Sequence, residues 1–179
     1  YALISLGRDR RALSASFQYL IMGTIGGTFI LIGIGLMYMM TGTLNMADLV
    51  QRLPPVMDTS TVRSALAFLT VGLSIKLAVF PLHLWLPNAY TYAPSVVTSF
   101  LSATATKVSF YVMARIVFVF FGAEMMFGDL GLNEILIILA LVGIYSASLV
   151  AIFQSNLKRL LAWSSVAQVG YMVLGLSMG

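Results

Sequence analysis

The sequence predicts an all-α polytopic membrane protein with about five transmembrane helices, and three observations carry that expectation. Hydrophobic residues make up 60% of the 179 and charged residues 9%, against roughly 25% charged in soluble domains, so the chain cannot cover a water-facing surface. The apolar residues gather into runs of about the 20 residues that a bilayer core demands of a helix. None of these runs alternates with a period of two, which excludes a closed β-barrel. The 15 Gly, 11 Met and 12% aromatic residues fit packed membrane helices better than soluble ones.

The first span is the clearest: Ser16 to Met40 carries no charge. Asn45 to Leu53 then reads as a short interfacial helix, ended by Pro54-Pro55. A second span runs from about Ser64 to Pro87 and contains Lys76, Pro81 and His83. A third, Pro94 to Phe121, contains Lys107 and Arg115, and spans 132–154 and 160–178 complete the set. The chain opens on Tyr1 and stops at Gly179 within an apolar run, which reads as an internal piece of a longer protein.

Basic residues near span ends mark the cytoplasmic side. Arg8-Asp9-Arg10-Arg11 before the first span and Lys158-Arg159 between the fourth and fifth fall on one side if five helices alternate, so both are expected in the cytoplasm. The loop from Gly122 to Asn133 holds Glu124 and Asp129 without a base, as an external loop can, while Arg52 and Arg63 at the same side run against that pattern.

Several chemistries are excluded. There is no cysteine, hence no disulfide, thiolate metal site or Fe–S ligation. One His and six scattered acids give no expectation of a metal site, and no cofactor or catalytic residue is expected. The net charge of +4 is dispersed among apolar runs, with no basic stripe beside exposed aromatics, so no nucleic-acid partner is expected. The expected surroundings are the lipid bilayer and other membrane subunits.

Lys76 and Lys107 are the central observation. Each falls near the middle of its span, where a cation costs about 2.5–3.5 kcal/mol on insertion scales. Snorkelling to the headgroups is the bland alternative, but the stem is too short from the midplane of a ~30 Å core. An interior polar pathway is the expectation, because desolvation disfavours the charged form of a buried lysine and lets it exchange protons. Pro81 follows Lys76 by five residues, removes the donor that would bond the Leu77 carbonyl, and should break the helix there. Broken membrane helices persist where the freed backbone lines protein or a hydrated cavity; a passive kink is the alternative.

In a continuous helix His83 would share the Lys76 face, either as a proton relay or as an interfacial hydrogen-bonding residue beside Trp85. Thr104 and Tyr111 flank Lys107 at i−3 and i+4 and could hydrogen-bond it. In the fifth span Ser164, Gln168 and Tyr171 form a polar stripe, suited to interhelical hydrogen bonds or to holding water in line with a relay.

With those residues in place, the run Lys76-Leu-Ala-Val-Phe-Pro-Leu-His-Leu-Trp-Leu-Pro-Asn-Ala-Tyr90, then Ala93-Pro94 and Ala105-Thr-Lys-Val-Ser-Phe-Tyr-Val-Met-Ala-Arg115, resembles a known family. The family is that of the antiporter-like subunits of respiratory complex I, Mrp-type cation/proton antiporters and membrane-bound hydrogenases. The block from Gln154 to Tyr171 is similar to its later conserved helix. The resemblance implies a larger inverted-repeat fold of fourteen helices, of which this chain would cover the end of the fifth through the tenth. It implies that Lys76 is the lysine beside the break of the seventh helix and Lys107 the central lysine of the eighth. The partner glutamate would precede Tyr1 and the exit-side residue would follow Gly179.

Asn88, Tyr90 and Gln168 stand where complex I relatives often carry Asp, His and His, a departure that leans toward the Mrp or hydrogenase branches. The expected function is proton translocation through buried lysines and water within a larger complex. Sodium/proton antiport and a structural scaffold without transport are the alternatives. The resemblance implies a bacterial or archaeal plasma membrane, the inner membrane in a Gram-negative cell, and allows membership of an NADH:quinone oxidoreductase-type translocase with no redox site in this chain.

Overall fold

The structure, a computed structural model, describes residues 1–7, 9–122 and 131–178. Arg8 and the acids Glu124 and Asp129 lie outside the described residues. Every regular element described is helical: α1 (Ala2–Ser5), α2 (Arg10–Thr41), α3 (Met46–Arg52), α4 (Ser60–Leu77), α5 (Trp85–Tyr92), α6 (Ser95–Arg115), α7 (Leu132–Ile152) and α8 (Leu157–Ser177). A 3₁₀ turn, Pro54–Val56, follows α3, and α6 continues into a π-helical turn at Ile116–Phe121.

Five segments are long and apolar enough to cross a membrane: α2, α4, α6 with its π turn, α7 and α8. Helix ends overrun the apolar runs into their polar and charged flanks. Thus α2 starts at Arg10 rather than Ser16, and α4 starts at Ser60, where the Thr59 hydroxyl accepts from the Val62 amide. The Asn156 side chain caps α8 by accepting from the Lys158 and Arg159 amides. The short helix α3 forms as expected, capped by Asn45, with Arg52 paired to Asp48 at 2.9 Å.

The main packing is α2 on α4, α7 on α8, α5 between α2 and α8, and α6 on α4. Small residues permit the closest crossing. A Cβ on Gly72 of α4 would lie 2.8 Å from the Gly26 carbonyl oxygen of α2, and one on Gly33 would lie 2.6 Å from Leu69 Cγ. Backbone contact of this kind is how helices associate where no hydrophobic force separates protein from lipid.

Buried side chains form two clusters. One gathers Met37, Leu69, Leu73, Leu77, Val117, Leu136 and Val173; the other gathers Ile4, Ala15, Trp85, Leu86, Ala93, Ala147 and Val166. The boundary runs through the end of α4, since Leu77 and Val79 belong to the first and Ala78 to the second. Ile4, Ala93 and Ala162 share one cluster, and Lys158 Nζ donates to the Ala93 carbonyl at 3.0 Å. The start of α2 and the start of α8 are therefore at one end of the bundle, as the two basic flanks require.

Candidate functional site

The site is built at the break of the second span. Helix α4 ends at Leu77, the residue whose carbonyl would have taken the amide proton that Pro81 lacks. Ala78 turns into the left-handed region (φ 63°, ψ 44°), and the chain crosses 79–84 without regular helix before α5 begins. The freed carbonyls find donors: Ser74 accepts from the Val79 amide at 3.0 Å, and Ile75 accepts from the Trp85 indole N–H at 2.9 Å. A buried carbonyl left without a donor would cost about 1–3 kcal/mol, so these bonds make the break tolerable.

Lys76 occupies the last turn of α4, where the negative end of the helix dipole favours a cation. It lines a cavity of about 210 Å³ together with Tyr19 of α2, Ile75, Trp85 of α5, and Ala105 and Ser109 of α6. At roughly 30 Å³ per water the cavity has room for several. Among the described residues the Lys76 ammonium has neither an ion pair nor a hydrogen bond; the ion pairs present are Arg52 with Asp48 and Arg63 with Asp58.

The remaining candidates are arranged differently from one another. Lys107 lies roughly 18 Å along α6, on an exposed face, and its ammonium donates to the Ser102 carbonyl. Its expected hydroxyl partners are engaged elsewhere: Thr104 donates to the Phe100 carbonyl at 2.8 Å, and the Tyr111 hydroxyl accepts from Arg115 at 3.1 Å. It is the next face of α6, with Ala105 and Ser109, that meets the Lys76 cavity, and Thr106 is buried at 2% exposure.

His83 does not share a helix face with Lys76, because the helix is not continuous between them. It is 5% exposed in the linker, stacked on Phe80 at 5.3 Å and edge-on to Trp163 of α8 at 5.4 Å, with Nδ1 buried and unpartnered among the described residues. Of the α8 stripe, Ser164 is half-buried while Gln168 and Tyr171 are exposed. The structure thus places Lys76 in a cavity, His83 against α8, and Lys107, Gln168 and Tyr171 on outward faces.

Two contributors were not legible as site residues. Tyr19 was hidden in an apolar run, yet its ring is 5.0 Å from Trp85 and lines the cavity. Trp85 itself looked like an interfacial aromatic. The available signal was the unmet carbonyls that a proline break creates, since a buried tryptophan always offers one donor.

The transmembrane family described as NADH:quinone oxidoreductase/Mrp antiporter matches residues 1–179. The chain belongs to this family. It is 50% identical over 179 residues to NADH-quinone oxidoreductase subunit N of Desulforudis audaxviator, covering all of this chain and 35% of that protein. Among solved structures it matches a chain of the membrane-bound sulfane sulfur reductase, an archaeal respiratory membrane complex, with TM-score 0.89 and 39% identity over 99% of this chain and 36% of that one. It also matches a chain of the Mrp complex from Dietzia with TM-score 0.83 and 30% identity, over 94% of this chain and 30% of that one. The chain therefore spans about a third of the length of these relatives. It is an integral membrane protein of the antiporter-like class, and its family includes members from bacteria and archaea.

Proposed function

We propose that this chain is the central part of a proton-translocating antiporter-like subunit in a multi-subunit membrane complex, and that protons move through Lys76, Lys107 and water. The observation that carries the reading is Lys76 at the end of a broken helix, facing a cavity wide enough for water and free of an ion-pair partner among the described residues. A lysine in this position can alternate between charged and neutral forms as its surroundings change. Its place in the family fold would be the seventh helix of fourteen, with the chain running from the end of the fifth through the tenth. The outward faces bearing Lys107, Gln168 and Tyr171 would then be covered by other helices of the subunit, continuing the path. Ser164 and His83 would extend it toward the end of the bundle marked by Lys158. The assembly would be of complex I, hydrogenase or Mrp type in a bacterial or archaeal plasma membrane.

The test is proton pumping by the assembled complex in proteoliposomes, measured beside complex yield. Lys76→Ala and Lys107→Ala are each expected to lower pumping at least 10-fold with the complex still assembled. Lys107→Arg is expected to fail as well, because a guanidinium cannot release its proton. An active Arg variant together with a poorly assembled Ala variant would make Lys107 a structural partner and overturn the carrier role. Sodium/proton antiport is the second reading, in keeping with a family described in part as Mrp antiporter and with likeness to an Mrp complex. Proton movement that requires an opposing sodium gradient would establish it, and sodium-independent pumping would reject it.

A further inference from the structure

We propose that Trp85 is a positioning residue for Lys76, acting through the peptide unit that joins Ile75 to Lys76. The inference rests on the reading of Lys76 as a proton carrier. The carbonyl that Trp85 Nε1 holds at 2.9 Å belongs to Ile75, so it is part of the same rigid plane as the Lys76 amide. That carbonyl is one of the last in α4: the Val79 amide that would complete its helical bond turns to Ser74 instead, which leaves it the Ala78 amide at 3.2 Å and the shorter bond from the indole. Fixing this plane holds the N–Cα bond of Lys76 and so restricts the direction in which the lysine leaves the backbone.

The ring of Trp85 is itself fixed. It is 5% exposed, it opens α5, and it packs at 5.0 Å and 46° against Tyr19 of α2. One side chain thus links the end of α4, the start of α5 and the cavity wall on α2. The same two rings line the cavity that Lys76 enters. Without the indole the last turn of α4 would rest on the bonds from the Ala78 and Val79 amides alone, and the lysine would be freer to sample directions away from the cavity. The indole N–H narrows that freedom at the residue next to the carrier.

The experiment uses the assembled complex in proteoliposomes with its native energy source. Trp85→Phe keeps a ring and removes the N–H; Trp85→benzothienylalanine keeps the shape of the bicycle and removes only the N–H. Both are expected to assemble, to pump about 2- to 10-fold more slowly, the factor that one lost hydrogen bond spans, and to change the pH dependence of the residual rate. Lys76→Gln is run beside them. Unchanged rate and pH profile in the Trp85 variants with an inactive Lys76→Gln would overturn the positioning role alone. A fully active Lys76→Gln would overturn the carrier reading and this proposal with it. Failure of both Trp85 variants to assemble would make Trp85 a folding residue and reject the proposal.

Discussion

Helices α2 and α4 cross the same layer side by side and are built on opposite terms. Helix α2 runs 32 residues without interruption, and only 17% of its most apolar window is buried within the described protein. Helix α4 is 18 residues long, is 50% buried over the same measure, ends on a lysine turn and passes the chain to α5 through a linker. A helix that only spans needs apolar side chains and intact hydrogen bonds. A helix that hosts a charge needs neighbours, because its freed carbonyls and its ammonium must be met by protein or water.

The glycine contact gives the largest expected effect on this contrast. Gly72→Ala places a methyl 2.8 Å from the Gly26 carbonyl oxygen, so the helices must separate, and overpacking of this kind costs about 1–3 kcal/mol. A Cβ at Gly35 of the same α2 meets nothing within 4 Å, and Gly35→Ala is expected to be neutral or stabilising by up to about 1 kcal/mol. Thermal unfolding of the two variants in one detergent measures the difference. Equal losses would mean that the α2–α4 crossing is not what holds the broken helix.

A smaller effect separates the two kinds of alanine. Ala78 has φ 63°, where an L residue is disfavoured by roughly 1–2 kcal/mol, so Ala78→Gly relieves strain while losing one buried methyl worth about 0.8 kcal/mol. Its stability is expected within about 1 kcal/mol of the parent. Ala15→Gly, at 2% exposure in the regular part of α2, loses the methyl and helix propensity together, about 2 kcal/mol. The same unfolding measurement ranks them, and a large loss at Ala78 would deny that the break is a relaxed left-handed turn.

How much of this was written in the sequence follows from the range of the forces. The five spans were legible because apolar run length is a one-dimensional quantity, and the break was legible because a proline acts on the turn just before it: α4 ends at Leu77, the carbonyl that Pro81 deprives. The partners of Lys107 were not legible, since i−3 and i+4 neighbours share a face without having to bond. Thr104 and Tyr111 instead satisfy nearer or stronger groups, the Phe100 carbonyl and Arg115. The place of His83 relative to Lys76 was legible only for a continuous helix, because helical phase is lost once the chain leaves the helix. Tyr19 could not be found at all, as its contact with Trp85 joins residues 66 positions apart.

The glycine seam between α2 and α4 also bears on biogenesis. Helix α4 has the lowest mean hydropathy of the five spans, 1.2 against 2.1 for α2, and it carries a lysine that raises the cost of partitioning into lipid. Helix α2 leaves the ribosome before α4, and its higher hydropathy suits it to enter the bilayer unaided. Gly26 and Gly33 then offer the later helix a surface on which Gly72 lands backbone to backbone. Delivery of α4 to the membrane is then expected to be a docking event onto a helix already in place rather than a solitary partition. A glycosylation-reporter assay should accordingly find α4 inserted better behind α2 than alone, with the gain lost in Gly26→Val, and equal insertion in all three would leave α4 an independent span.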